Sequence, residues 1–289
     1  MRSSSVPRRL LAALVTAVAA VAVLSPAAAS AAPTSGWNDW SCRPSAAHPE
    51  PVVLGHGLGA NGVDNFLVLA PALKLAGYCV YSTTYGGTTF LGDLVGGLGD
   101  MRQSARDFGA FVERVRSSTG AAQVNVVGHS EGTTVPAYYA KVLGGAPKVK
   151  RFVGFGANYR GTTLSGLGTL AKALKLQPVL DAVGCQACSQ FLQGSDFLNE
   201  LNTGGTAAAP GPVYTNIVTK YDTVVTPYTS GFMNAPNATD LVLQKSCPVD
   251  FSGHVGLAVD PNLISLVINR LAPEHAPRPI CVPYWALGA

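Results

Sequence analysis

From Pro51 onward, short apolar runs rich in β-branched residues alternate with longer segments whose apolar positions recur every three or four residues. The runs are Val52-Val53-Leu54, Tyr78 to Ser82, Val124 to Val127, Phe152 to Phe155 and Val213 to Val218. Lacking polar alternation, they suit strands covered on both faces. Between the second and third runs, Met101, Ala105, Phe108, Phe111, Val112 and Val115 lay one apolar stripe along a helix ending near Gly120. Asp64 to Ala76 and Pro261 to Leu271 read likewise as helices. This βαβ series predicts the α/β class: a mostly parallel central sheet flanked by helices, in a single domain over 32–289.

Two stretches break the rhythm. Gly86 to Gly99 carries six glycines and predicts a surface loop. Asn158 to Pro210 is a long insertion where one helix would suffice, and Leu164, Leu167, Leu170, Leu174, Leu176 and Leu180 make it leucine-rich. An exposed patch of that kind is costly on a soluble monomer unless it covers a groove or meets lipid. The insertion therefore predicts a lid, either hinged or packed permanently on the core.

The N-terminus has a different pattern: a basic head, an apolar run from Leu10 to Leu24, and the small residues Ala29-Ser30-Ala31. That order predicts a secretory signal peptide over 1–31, with Arg8-Arg9 leaving a twin-arginine route open. The apolar run is shorter than the roughly 20 residues that cross a bilayer. The expected mature protein is soluble and secreted to the extracellular space.

Composition narrows the partners. The 289 residues are 47% hydrophobic and 12% charged, too apolar for a disordered chain. The formal charge of +4 includes Arg2, Arg8 and Arg9 of the leader. The remainder is nearly neutral and has no basic stripe, which excludes a nucleic-acid partner. Six cysteines, Cys42, Cys79, Cys185, Cys188, Cys247 and Cys281, suit an oxidising compartment. They allow fifteen pairings; pairing between sequence neighbours is expected, with Cys185-x-x-Cys188 a loop staple. The redox or zinc alternative for that pair lacks a second pair or a histidine at metal-ligand spacing.

The sharpest chemical signal is Gly128-His129-Ser130-Glu131-Gly132, between the strand Val124 to Val127 and a segment able to start a helix. This is the G-x-S-x-G elbow in its required context, with glycines that let the chain turn tightly and lift the serine oxygen above the sheet. Ser130 is the expected nucleophile, and His129 points away from it to pack. A serine needs a base within hydrogen-bond reach and an acid to orient that base. Of five histidines only His254 and His275 follow Ser130. His254, in Ser252-Gly253-His254-Val255-Gly256, is the expected base, while His275 lies in a proline-bounded tail. Asp222, directly after Val213 to Val218, is the expected acid, with Asp196, Asp240 and Asp250 as rivals. Two backbone N–H groups are expected to form an oxyanion hole: Glu131 after the serine, and Leu58 in Gly55-His56-Gly57-Leu58-Gly59. His56 is expected to brace that loop.

These residues resemble the secreted class 2 lipases of the α/β-hydrolase superfamily, especially those exported by actinomycetes. The resemblance runs along nearly the whole mature chain. It includes Gly55 to Gly62, Gly77-Tyr78-Cys79-Val80, Gly97 to Asp100, Gly128 to Gly132, Tyr221-Asp222 with Val224 to Pro227, and His254 to Leu257. It implies acyl-ester hydrolysis by Ser130, Asp222 and His254, with Leu58 and Glu131 as oxyanion donors, disulfides, and no metal or cofactor. Two departures stand out: Glu131 where glutamine is common, and Thr133 where a second glycine is frequent. The expected function is a triacylglycerol lipase acting as a monomer at a lipid–water interface. The alternatives are a carboxylesterase active on feruloyl esters or polyesters, or an inactive hydrolase-fold binding protein.

Overall fold

The computed structural model describes residues 37–87, 92–163 and 185–285. Six parallel strands form one sheet: β1 (Val52–Gly55), β2 (Val80–Ser82), β3 (Val124–His129), β4 (Val149–Phe155), β5 (Val213–Val218) and β6 (Ala238–Val242), in the order β2-β1-β3-β4-β5-β6. The chain steps outward from β1 to β2 and then crosses back to place β3 on the other flank of β1. The crevice above the ends of β1 and β3 is therefore the topological switch point, where open α/β sheets hold their ligands.

The pleat explains the unalternating runs. Val53, Val126 and Phe152 face helix α2 (Met101–Thr119) and helix α3 (Glu131–Lys141) in one core with Phe108, Val112 and Val135. Their neighbours Leu54, Val127 and Val153 face the opposite core, with Leu73 of α1 (Leu69–Leu75) and Leu263 and Val267 of a C-terminal helix (Pro261–Leu271). Each buried side chain of this size contributes about 1.5–3 kcal/mol. Helix α2 starts on Asp100, whose carboxylate accepts from the Arg102 N–H, and stops at Gly120 in a left-handed conformation at φ +74°. The C-terminal helix starts on Asp260, which caps two N–H groups.

Three expectations change. The helix expected over Asp64 to Ala76 is a 3₁₀ turn, Asp64–Phe66, followed by α1. The glycine-rich stretch is only partly a surface loop, because Gly96 and Gly97 are buried against the turn after β1. Strand β6 is an addition: Ala-Thr-Asp-Leu-Val lies half-buried at the sheet edge and has no continuous apolar run. The leader over 1–31 and the leucine patch from Leu164 to Leu180 lie outside the described residues.

All six cysteines are paired with sequence neighbours: Cys42–Cys79, Cys185–Cys188 and Cys247–Cys281. The first ties the segment before β1 to the start of β2, and the last ties the C-terminal tail to the residues below the His254 loop.

Candidate active site

Strand β3 ends at His129 and α3 begins at Glu131, so the reversal falls on Ser130, held at φ +55° and ψ −122°. A non-glycine residue with positive φ costs about 1–3 kcal/mol and persists only where its surroundings enforce it. Here close packing does so. A Cβ on Gly132 would lie 1.8 Å from the Gly55 carbonyl oxygen, so α3 can approach β1 only with glycine there. The Thr133 hydroxyl, at the position where glycine is frequent, donates to the Ser130 carbonyl at 2.7 Å and closes the turn.

Three loops converge on this corner. The Ser130 hydroxyl is 2.8 Å from His254 Nε2, and His254 Nδ1 donates to Asp222 Oδ2 at 2.8 Å. The other carboxylate oxygen, Oδ1, accepts the N–H groups of Val224 at 2.9 Å and Val225 at 2.6 Å. Those bonds fix the carboxylate against the ring. The His254 loop is held from below, where the Thr219 hydroxyl donates to the Ser252 carbonyl at 2.7 Å. In this line the imidazole can take the proton of the Ser130 hydroxyl while the buried carboxylate stabilises the resulting imidazolium.

The rival residues are engaged elsewhere. Asp240 in β6 accepts from Asn216, Met233 and Asn234. Asp196 opens a short helix, Asp196–Leu201. Asp250 accepts from the Ser252 N–H and from Asn262 Nδ2. His275 lies in an exposed turn, with His48 and Glu274 beside a hollow at the starting ends of β3 and β4.

The turn after β1 passes against Ser130, where a Cβ on Gly57 would sit 3.2 Å from the Ser130 Cβ. The Leu58 N–H has no backbone acceptor among the described residues. The Glu131 N–H, at the first position of α3, is one of the helix's orphan donors and lies at the positive end of its dipole. His56 braces the turn: its Nδ1–H donates to the Gly57 carbonyl at 2.9 Å, Nε2 accepts the Tyr85 N–H at 3.2 Å, and its ring stacks on Tyr85 at 4.0 Å. Burial holds it neutral, its pKa pushed down to about 4.

A further relay joins the turn after β1, the elbow and the His254 loop. Asn65 Oδ1 accepts the Gly57 N–H at 2.7 Å, and Asn65 Nδ2 donates to His129 Nδ1 at 3.0 Å. His129 Nε2–H then donates to the His254 carbonyl at 3.1 Å. A carbonyl cannot donate, so this last bond fixes the His129 tautomer and makes Nδ1 the acceptor. Burial, and then the nearby His254, lower the His129 pKa to about 3. His129 thus packs on Phe155, as its place in the elbow suggests, but also carries a hydrogen-bond link between the turn after β1 and the His254 loop.

Two hollows meet at Ser130 and His254. One, of about 340 Å³, runs beside Leu58, Ala60, Val255, Ala258 and Val259. The other, of about 290 Å³, runs beside Thr162, Phe191, Val224 and Val225. Both walls are mostly apolar and suit hydrocarbon on either side of a reacting carbonyl. Among the described residues no group of three or more His, Cys, Asp and Glu side chains is arranged to hold a metal ion.

The family model for class 2 lipases matches residues 49–260, which takes in the turn after β1, the elbow and both loops beyond it. The chain belongs to the class 2 lipase family. Its fold is that of the α/β-hydrolases. Lipase B of Aspergillus fumigatus is similar in fold at a TM-score of 0.61 and 18% identity over 80% of this chain, which spans only 54% of that protein's length. The mature form of lipase BlEst2 of Bacillus licheniformis gives 0.50 at 15% identity, covering 67% of this chain and 83% of its own. A carboxylesterase structure from Nitrososphaera gargenis gives 0.51 at 14%, covering 78% and 91%. No curated protein matches the chain in sequence.

Proposed function

We propose that the protein is a secreted triacylglycerol lipase that works through an acyl-enzyme. The observation that carries this reading is the hydrogen-bonded line Ser130, His254, Asp222 opening between two apolar hollows. His254 Nε2 takes the Ser130 proton as Oγ attacks the ester carbonyl. The N–H groups of Leu58 and Glu131 receive the negative oxygen. His254 then protonates the leaving alkoxide, and a water activated by the same ring releases the acyl group. No metal and no cofactor takes part.

The surrounding assignments follow from this reading. Residues 1–31 are removed on export, the catalytic domain covers 32–289, and the three disulfides suit the extracellular medium. Among the described residues no helix is long and apolar enough to cross a membrane. A lid at the lipid–water interface within the expected insertion over about 158–210 does not extend past Cys185, because Phe191, Phe197, Leu198 and Leu201 beyond it are buried in the core beside α3. The enzyme works as a monomer.

Rates on short- and long-chain glyceryl esters, followed across their solubility limits, test the proposal. A sharp rise as droplets form supports it. Saturation on dissolved short esters with no long-chain activity makes the protein a carboxylesterase. Failure of an organophosphonate to label Ser130 makes it a binding protein that retains the fold.

A further inference from the structure

Glu131 contributes its backbone to the site, yet its side chain is the least explained group beside it. The carboxyl is fully buried, and neither oxygen has a hydrogen-bond partner. It sits at the start of α3, where the helix dipole would favour an anion by about 0.3–2 kcal/mol. Burying an unpaired carboxylate costs several kcal/mol, so desolvation outweighs the dipole and the group is held uncharged. Its pKa is accordingly pushed well above the usual carboxylate range by burial.

The side chain lies at the back of the turn that carries Leu58. A Cβ on Gly97 would come 2.3 Å from Glu131 Oε2 and 2.9 Å from the Leu58 Cα, so the three residues fill one space. Gly97 itself is at φ +71°. The backbone joins the same two segments: Gly59 N–H donates to the Gly96 carbonyl at 3.0 Å, and Gly96 N–H to the Ala60 carbonyl at 2.8 Å. The titratable neighbours are Tyr85, whose hydroxyl donates to the His56 carbonyl at 2.5 Å, and His56 stacked upon it. Both are neutral through burial, and no charged group among the described residues compensates a carboxylate here.

We propose that the Glu131 side chain is a positioning group: an uncharged carboxyl that holds the Leu58 turn against Gly97, and whose ionisation pushes that turn away from Ser130. Ionisation would place an uncompensated negative charge behind the two N–H groups that receive the negative oxygen. It would therefore both displace a donor and repel the tetrahedral intermediate. Loss of turnover would appear in kcat, because the interaction is made in the transition state. This inference rests on the ester-hydrolase reading of the site.

Two measurements test it. The first is the kcat profile of Glu131→Gln and Glu131→Met, each scaled to its own maximum. Either folded variant serves, since neither carries a titrating group. The expected result is an alkaline limb in the wild type that moves up by at least one pH unit, or vanishes, in the variants. A limb that superimposes on the wild type overturns the proposal. The second is infrared spectroscopy in a Ser130→Ala background. A protonated-carboxyl band at neutral pH should be lost on adding Glu131→Gln, and any band from Asp260, whose pKa burial also raises, cancels in that difference. No difference band overturns the proposal when the parent chain, with Ser130 in place, hydrolyses esters. A chain that hydrolyses no ester but shows the band overturns instead the reading of the site on which the proposal rests.

Discussion

Replacing Asn65 by leucine removes the middle of the relay that ties the turn after β1 to the His254 loop. The side chain is buried, so the Gly57 N–H loses its 2.7 Å acceptor and His129 Nδ1 loses its 3.0 Å donor. A buried donor left unpaired costs about 1–3 kcal/mol. If the turn stays in place, that cost falls on stability, and the thermal midpoint drops by about 2–4 °C per kcal/mol for a domain of this size. If the turn relaxes, the Leu58 N–H leaves its position, and loss of one oxyanion donor costs about 10²–10³ in kcat. The expected result is intermediate: kcat lower by about 10- to 100-fold, KM little changed, and a lower midpoint. Burst titration of Ser130 keeps the active fraction in view. Combining Asn65→Leu with His129→Phe should give a total smaller than the sum by about 1 kcal/mol, because each breaks the same chain. Additive effects, or an unchanged kcat together with an unchanged midpoint in Asn65→Leu, would refute the relay.

Asp222→Asn keeps the volume but supplies no carboxylate to the ring, and kcat should fall by about 10⁴ while circular dichroism and the midpoint stay near wild type; wild-type turnover would refute the assignment. Asp260, buried and then opposed by Asp250, has its pKa raised from 3.8 to about 7. The folded protein keeps a proton here that the unfolded chain releases, so this group's contribution to stability is lost as pH rises from about 4 to about 7. Asp260→Asn, which still caps the helix, should flatten that decline in urea melts taken at several pH values; parallel curves would refute it. Serine pairs replacing Cys42–Cys79 or Cys247–Cys281, at separations of 37 and 34 residues, should each cost about 4 kcal/mol on the loop-entropy model, against about 2 for the three-residue Cys185–Cys188 staple. Urea midpoints give the order, and a staple that proves the costliest would refute it.

What was legible in the chain was the part of the candidate site carried by local spacing. The elbow announces itself because Gly128 and Gly132 bracket Ser130 between a strand and a helix. Asp222 and His254 could be picked out because each follows a strand or heads a glycine-flanked loop. The relay could not. Asn65 stands 64 residues from His129, and the signal that places it, a 3₁₀ turn interrupting an expected helix, leaves no mark in the apolar spacing. Gly96 and Gly97 read as loop residues because glycine marks both exposed turns and close approach. Strand β6 escaped because an edge strand buries only part of each face, and Asp240 within it is satisfied by Asn216 of β5 and by the N–H groups of Met233 and Asn234 just before the strand.

The titratable groups that surround the line of Ser130, His254 and Asp222 share one property, and it bears on why the site tolerates so many of them. His56 and His129 are both driven neutral, to about 4 and about 3, and Glu131 is held protonated. A protonated His129 would stand 5.1 Å from the His254 ring. At an effective dielectric of 20, that placement would oppose the imidazolium formed during attack by about 3 kcal/mol, or more than 100-fold in rate. The same burial that makes these side chains expensive to charge keeps them from competing with Asp222 for the field at His254. In the proposed mechanism, stabilisation of the negative oxygen is then left to backbone dipoles that cannot titrate, and His254 keeps a single carboxylate partner.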